Sequence, residues 1–398
     1  VIPPLPIVVV TGFLGSGKTT LLRRWRRDAS LRDAAVIVHD LSEFGLDAEL
    51  LADEGSAPEA GRLVDRVAAL HGEHARGKLH DSVGRALGGI AALDPAPPLV
   101  LVESTGAARP WPLIAALTQD QRFFLRHFIV AVDALNLHRD FADGRVLTGE
   151  VPAPDDVALR HAAAVLAEQL AFASIMVLTK TDTIPKAVAD SQARTLRRCQ
   201  PRAAIGLSAR AGLMLPQLDG VPPPKLATLK HRAEELGLMS IAESGFTAAD
   251  VDCLVLREKR PFHPQRLHDA CQRHLATGLY RTKGFLWLAS RPGEVLLWQQ
   301  SGSQITLELN GFWRAEMLLN HGGKLLPEEI EHLKTMLEKE HPVFGDRHVE
   351  ITLIGLKPAR EAFAAALDAA FCTDAEIEAW QRGETFPDPW PTDLRRVD

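Results

Sequence analysis

Gly12, Gly15, Gly17, Lys18 and Thr19 stand at the spacing G-x-x-x-x-G-K-[ST], and each residue type in that pattern has a task in holding a polyphosphate. The glycines let successive backbone N–H groups converge on phosphate oxygens, Lys18 brings a point charge to the β- and γ-phosphates, and the Thr19 hydroxyl is placed to ligate Mg²⁺. Ser16 and Thr20 complete the stretch facing the nucleotide. Two acidic residues that come after apolar runs, Asp40 in His39-Asp40-Leu41-Ser42-Glu43 and Glu103 in Glu103-Ser104-Thr105-Gly106, read as partners of this loop. Mg²⁺ demands oxygen ligands and keeps part of its hydration shell, so carboxylates there can hold it directly or through water. Gly106, three positions after Glu103, suits a backbone that senses a γ-phosphate. Lys18, Asp40 and Glu103 are therefore the expected catalytic set. Thr179-Lys180-Thr181-Asp182 ends a further apolar run. A carboxylate at Asp182 can accept from the ring N–H and the exocyclic amine of guanine, a pattern that adenine lacks. Ser208, at the end of the next apolar run, joins the expected nucleotide-binding residues.

These residues need a scaffold that brings them to one edge. Apolar runs at 7–10, 35–38, 98–102, 128–132 and 175–178, with a sixth candidate at 203–207, alternate with helical stretches. Continuous apolar strands separated by helices predict an α/β domain with a mainly parallel sheet covered on both faces. In such sheets ligands lie beyond the carboxyl ends of the strands, so the residues just after each run are candidates for the site. Gly220-Val221-Pro222-Pro223-Pro224 cannot continue a helix or an interior strand and reads as a boundary. Beyond it the order of elements predicts a smaller α+β domain with an antiparallel component. The division is 1–220 for the nucleotide domain, 221–243 for a linker carrying a short polar helix, 244–372 for the second domain and 373–398 for an irregular arm.

Composition narrows the partners. The chain of 398 residues carries a formal net charge of −6, which gives no general attraction for nucleic acid or anionic membranes. Its four cysteines, Cys199, Cys253, Cys271 and Cys372, form no C-x-x-C pair, which argues against a disulfide framework and a thiolate cluster. No apolar run approaches the length of a membrane span, and the expected location is the cytoplasm.

The motifs, in this order, resemble the CobW family of phosphate-loop GTPases, a group of nucleotide-dependent metallochaperones and metal-enzyme activators. The resemblance covers nearly the whole chain. It is carried by Gly12 to Thr20, Glu103-Ser104-Thr105-Gly106, Val132-Asp133-Ala134, Glu168-Gln169-Leu170-Ala171 and Thr179-Lys180-Thr181-Asp182. Downstream it continues through Arg260-Pro261-Phe262-His263-Pro264, Arg281-Thr282-Lys283-Gly284-Phe285-Leu286-Trp287 and Gly345-Asp346-Arg347. It implies GTP and GDP as ligands, Mg²⁺ as their partner, Lys180 with Asp182 as base readers, and a client metalloenzyme or apo-protein as partner. Thr179 stands where most members carry Asn, which weakens one base contact.

The chain departs from the family where the transported metal binds. Typical members carry Cys-x-Cys-Cys, whereas this chain reads His71-Gly72-Glu73-His74-Ala75-Arg76, with His80 and Asp81 shortly after. Glu43 falls where the family has a carboxylate near the cargo metal. One reading makes Glu43, His71, Glu73 and His74 a nitrogen and oxygen site for Zn²⁺, Fe²⁺ or Co²⁺. The other makes the segment a polar surface loop of a GTPase that remodels a protein complex without metal. Arg109, where many members have Asp, reads as an exposed loop charge or a group reaching a phosphate or partner carboxylate. A nitrile hydratase activator is a branch that the resemblance implies, a small-molecule kinase is a third reading without a visible substrate motif, and a homodimer stays open.

Overall fold

The structure, a computed structural model, describes residues 3–40, 63–64, 67–71, 79–106, 109–152, 154–155, 157–238, 251–275, 279–301, 304–321 and 326–394. The chain divides into two compact units, Val1–Val251 and Asp252–Asp398.

In chain order the first unit runs β1 (Leu5–Thr11), α1 (Lys18–Arg26), β2 (Ala35–Asp40), β3 (Leu63–Val64), β4 (Val67–His71), α2 (Leu79–Ala91) and β5 (Val100–Glu103). It continues through α3 (Pro110–Leu117), β6 (Phe123–Asp133), α4 (Ala134–Asp140), α5 (Val157–Phe172), β7 (Ile175–Thr179), α6 (Lys186–Cys199), β8 (Ala204–Ser208) and α7 (Leu226–Glu235). The strands form one sheet in the order β3-β4-β2-β5-β1-β6-β7-β8. Every pair is parallel except the β3–β4 hairpin. Both faces are covered, as continuous apolar strands require. Val8, Val10, Val36 and Val38 join Leu21, Leu22 and Trp25 of α1 in one core, and the alternate residues Ile7, Val9 and Ile37 are also fully buried.

The expected strands are present at the expected places, and the sheet extends further on the β2 side. Val67-Ala68-Ala69-Leu70 is short and half alanine, a residue depleted in strands, so its own pattern carries little signal. Its pairing with β2, in register from Val36↔Val67 to Asp40↔His71, makes it a strand. The short polar helix expected in the linker is α7, whose Leu229 and Ala233 are buried four residues apart on a face that packs against α3 and α5.

The second unit contains β9 (Val251–Glu258), α8 (Pro264–His274), β10 (Leu279–Leu288), β11 (Arg291–Ser301), β12 (Gln304–Phe312), α9 (Arg314–His321), α10 (Pro327–Leu337), β13 (Val349–Leu356), α11 (Lys357–Asp368) and α12 (Asp374–Gln381). Its sheet has the order β12-β11-β10-β13-β9, with β10 antiparallel to β11 and β13, and β11 antiparallel to β12. The tail expected to be irregular carries α12, because Thr373 and Glu376 form a reciprocal capping box. Trp380 and Trp390 then pack against this unit's core. The motif Gly345-Asp346-Arg347 is structural. Asp346 accepts from the Arg314 and Ala315 backbone at the start of α9, and the buried Arg347 donates to Pro292 O at 2.6 Å and to Glu316 Oε2 at 2.7 Å. Trp287, Trp298 and Trp313 are core residues, and each indole N–H donates inside the unit. His263 caps α8, and His348 packs edge-on against Trp313.

Candidate nucleotide site

Between β1 and α1 the chain turns through three glycines with positive φ: Gly12 at 136°, Gly15 at 79° and Gly17 at 86°. At Gly12 the need is steric as well, since a Cβ would collide with the Ala131 carbonyl of β6. Gly17 is the left-handed residue from which α1 starts, so the first N–H groups of that helix point to the loop's open side. Lys18 is 5% exposed, and its ammonium donates to Gly12 O at 2.8 Å and Phe13 O at 3.2 Å, which curls the loop around its own charge. Ser16 is buried within the same turn.

Thr19 faces the carboxyl end of β5. Its hydroxyl donates to Glu103 Oε1 at 2.6 Å, so two oxygen donors chosen from sequence for Mg²⁺ meet side by side, with Glu103 only 3% exposed. Beyond Glu103 the loop leans on the phosphate loop. Ser104 Oγ and Thr11 Oγ1 share a hydrogen bond of 3.2 Å, and a Cβ on Gly106 would come to 2.5 Å from Leu14 N. Gln169 of α5 donates to Gly106 O at 3.2 Å, and its neighbour Glu168 lies 3.8 Å from Arg109. Burial raises the Glu168 carboxyl above the ordinary range, and the nearby Arg109 opposes that shift. Arg109 is thus held inside the unit by α5; the partner carboxylate comes from this chain.

At the carboxyl end of β7, Thr179 is 4% exposed, and its hydroxyl lies between Ser16 O at 2.8 Å and Val132 O at 3.2 Å. The substituted residue therefore ties the carboxyl end of β7 to the phosphate loop. Lys180 is left-handed, with φ 53°, and its ammonium meets Asp133 Oδ2 at 2.6 Å. Asp182 lies on the next 3-10 turn and accepts from Arg210 N at 3.1 Å. Ser208 is 1% exposed and accepts from Leu213 N at 3.3 Å, so it shapes the turn after β8.

Phosphate loop, Glu103 and Asp182 therefore line the carboxyl ends of β1, β5 and β7, at the sheet edge where such ligands bind. Asp40 ends β2 at that same edge, opposite His71 in the β2–β4 register. Glu43, Glu73 and His74 lie outside the described residues, and for His71 the described part is the backbone. Among the described residues no group of three or more His, Cys, Asp or Glu converges to hold a metal ion. His138 pairs with Asp143 at 2.8 Å on the surface of α4. Asp133, Gln169 and Arg210 gained no role from sequence. Asp133 had a usable signal, because it stands just after the apolar run of β6.

The description "CobW/HypB/UreG, nucleotide-binding domain" matches residues 6–206, and "Cobalamin synthesis protein cobW C-terminal domain" matches residues 251–371. The chain belongs to the CobW/HypB/UreG family. Its first unit is the P-loop GTPase domain of this CobW protein, and its second is the CobW C-terminal domain with an antiparallel sheet. Among the relatives, the zinc-regulated GTPase metalloprotein activator 1 of Dictyostelium discoideum is 23% identical over 94% of this chain and 81% of its own. A zinc chaperone of Mycobacterium tuberculosis is 33% identical over 61% of this chain, and that match spans 56% of the mycobacterial protein. The zinc-bound YjiA GTPase of Escherichia coli matches 93% of this chain at 20% identity, with a TM-score of 0.36 and all of that structure covered. No helix among the described residues is long and apolar enough to cross a membrane.

Proposed function

We propose that this CobW protein is a GTP-hydrolysing metallochaperone or metalloenzyme activator, in which the nucleotide state governs a metal carried by the segment after β4. The observation that carries the reading is the β2–β4 register. Asp40 opposite His71 puts the start of His71-Gly72-Glu73-His74 on the sheet edge that also bears Glu103 and the phosphate loop. Relatives named as zinc chaperones and a zinc-regulated activator support a metal as cargo and favour Zn²⁺ over Fe²⁺ or Co²⁺. His71, Glu73, His74 and Glu43 would supply nitrogen and oxygen donors, which suit all three.

The residues divide the work. Lys18 exchanges its two loop carbonyls for phosphate oxygens, and N–H groups of residues 15–20 surround the rest. Thr19 and Glu103 offer hard oxygen donors at one point, a set that fits Mg²⁺, with Asp40 assisting from β2. A Mg²⁺ ion held by these residues would supply positive charge against the charge that builds on the phosphates. Asp182 reads the guanine edge, and Thr179 keeps that reader in register with the phosphate loop. Gly106 meets the γ-phosphate, and its contacts with Leu14 and Gln169 pass a change in that loop to α5. With Arg109 held by Glu168, hydrolysis by the isolated protein is slow and a client completes the site. That client is a metalloenzyme or its apo form; a nitrile hydratase is one such enzyme.

The test measures GTP hydrolysis and Zn²⁺ binding on the same preparation. Hydrolysis that needs Mg²⁺ and responds to Zn²⁺ is expected. Hydrolysis with no metal bound at micromolar Zn²⁺, Fe²⁺ or Co²⁺ favours a GTPase that remodels proteins without metal.

A further inference from the structure

Asp133 ends β6 directly opposite Thr179 in the parallel β6–β7 ladder. Its two carboxylate oxygens do different things. Oδ1 accepts from Leu135 N at 2.9 Å and Asn136 N at 3.2 Å, which caps α4. Oδ2 meets the Lys180 ammonium at 2.6 Å, with the Asp133 side chain 4% exposed and that of Lys180 35% exposed. The cap uses the first of these, and the second adds a charged contact to Lys180. We propose that Asp133 is a positioning residue for the purine base: by anchoring the Lys180 ammonium, it fixes both the Lys180 stem and the turn that carries Asp182.

The backbone shows what the anchor holds in place. Lys180 has φ 53° and ψ 33°, a left-handed conformation that a residue with a side chain adopts at a cost. Thr183 reinforces the turn, donating to Lys180 O from its backbone N at 3.0 Å and from its hydroxyl at 2.7 Å. The left-handed turn sends the ammonium back across the strand ends to Asp133 and starts the 3-10 turn Thr181–Thr183, so one conformation places Lys180 and Asp182 together. Between its pinned backbone and its pinned ammonium, the four-carbon stem becomes a fixed apolar ledge on which a purine ring can lie. A lysine with a solvated ammonium would lose its rotamer freedom only when the base arrived, and that loss would weaken binding. Asp133 imposes the order beforehand.

This inference rests on the reading of the site as a guanine-nucleotide site, and the experiment separates the two. Asp133→Asn keeps an acceptor for the α4 cap and removes the charge facing Lys180. Calorimetric titration should show GTP and GDP binding about tenfold more weakly, the loss expected for a buried charge-assisted hydrogen bond. Mg²⁺-tripolyphosphate, which engages only the phosphate loop, should bind as it does to the parent protein. Lys180→Met should give a similar loss for GTP, and adding Asp133→Asn to it should cost nothing more. Unchanged GTP affinity in Asp133→Asn overturns the proposal, as does a parallel loss of tripolyphosphate, or independent losses in the double variant. A parent protein that binds tripolyphosphate but discriminates against neither ATP nor other bases sinks the guanine reading first, and this inference with it.

Discussion

Gly106→Ala tests how the loop after β5 works, because the structure fixes where the added methyl goes. Its Cβ would sit 2.5 Å from Leu14 N and 2.9 Å from Leu14 Cα and Phe13 C, all of them backbone atoms. Ordinary contact starts near 3.5 Å, so one of the two loops must move by about 1 Å. The phosphate loop is the firmer partner. Lys18 ties it to itself, Thr179 bonds to Ser16 O, and Gly12 lies against the Ala131 carbonyl. The stretch 104–106 has Gln169 on Gly106 O and the Ser104–Thr11 contact, so it gives way. A displacement of about 1 Å at a group meeting the γ-phosphate costs on the order of 10²-fold in rate, or about 2.7 kcal/mol. GDP, which has no γ-phosphate, should keep its affinity within about threefold. Single-turnover phosphate release and titration with a fluorescent GDP analogue read the two quantities. Hydrolysis within threefold of the parent rate would refute the claimed contact between the loops. Loss of GDP binding together with hydrolysis would show that the phosphate loop is the one that moves.

Other residues of the site and the core have expected outcomes of their own. Lys18→Ala should weaken GTP binding by at least about 10²-fold, because two charge-assisted contacts to phosphate disappear; unaltered affinity in the same titration contradicts the phosphate-loop assignment. Glu103→Gln keeps an acceptor for the Thr19 hydroxyl but loses the charge, so the Mg²⁺ concentration for half-maximal hydrolysis should rise roughly 10- to 100-fold; an unchanged Mg²⁺ dependence removes Glu103 from the cation site. His127 on β6 is 1% exposed, and burial, helped by Arg126, lowers its pKa to about 4. The unfolded chain takes up this proton near pH 6.5, so the stability tied to neutral His127 is complete above that pH. It is lost progressively as pH falls toward 4, by up to about 3 kcal/mol. His127→Phe should flatten that limb of a chemical-denaturation series between pH 6.5 and 4, and an equally steep limb in the variant assigns the acid sensitivity elsewhere.

The phosphate loop was legible because its chemistry is local: glycine spacing, a lysine and a threonine suffice to specify it. The sheet was legible from continuous apolar runs, and with it the position of Glu103 and Asp182 at strand ends. β4 was not, since two alanines in a five-residue strand give no periodic signal and only pairing with β2 settles it. Thr179 was located correctly, but its direction depends on the Ser16 carbonyl, 163 residues away in sequence, which no local pattern reports. The same holds for Arg109, read as an exposed loop charge or a group reaching a phosphate or partner carboxylate and found against Glu168 of α5. Downstream, Asp346 and Arg347 looked like motif residues because they are tied to several elements at once, and the structure shows those ties to be caps and ion pairs.

The claim that nucleotide state governs a carried metal is tested most directly by the Zn²⁺ affinity of the full chain, measured by competition with a chromophoric chelator. The measurement is made once with a non-hydrolysable GTP analogue and once with GDP. The two affinities should differ by about tenfold or more, the scale of a typical coupling free energy between two sites. The difference should vanish when His71, Glu73 and His74 are all replaced by alanine. Equal Zn²⁺ affinity in the two nucleotide states, or a difference that survives the triple replacement, would contradict the claim.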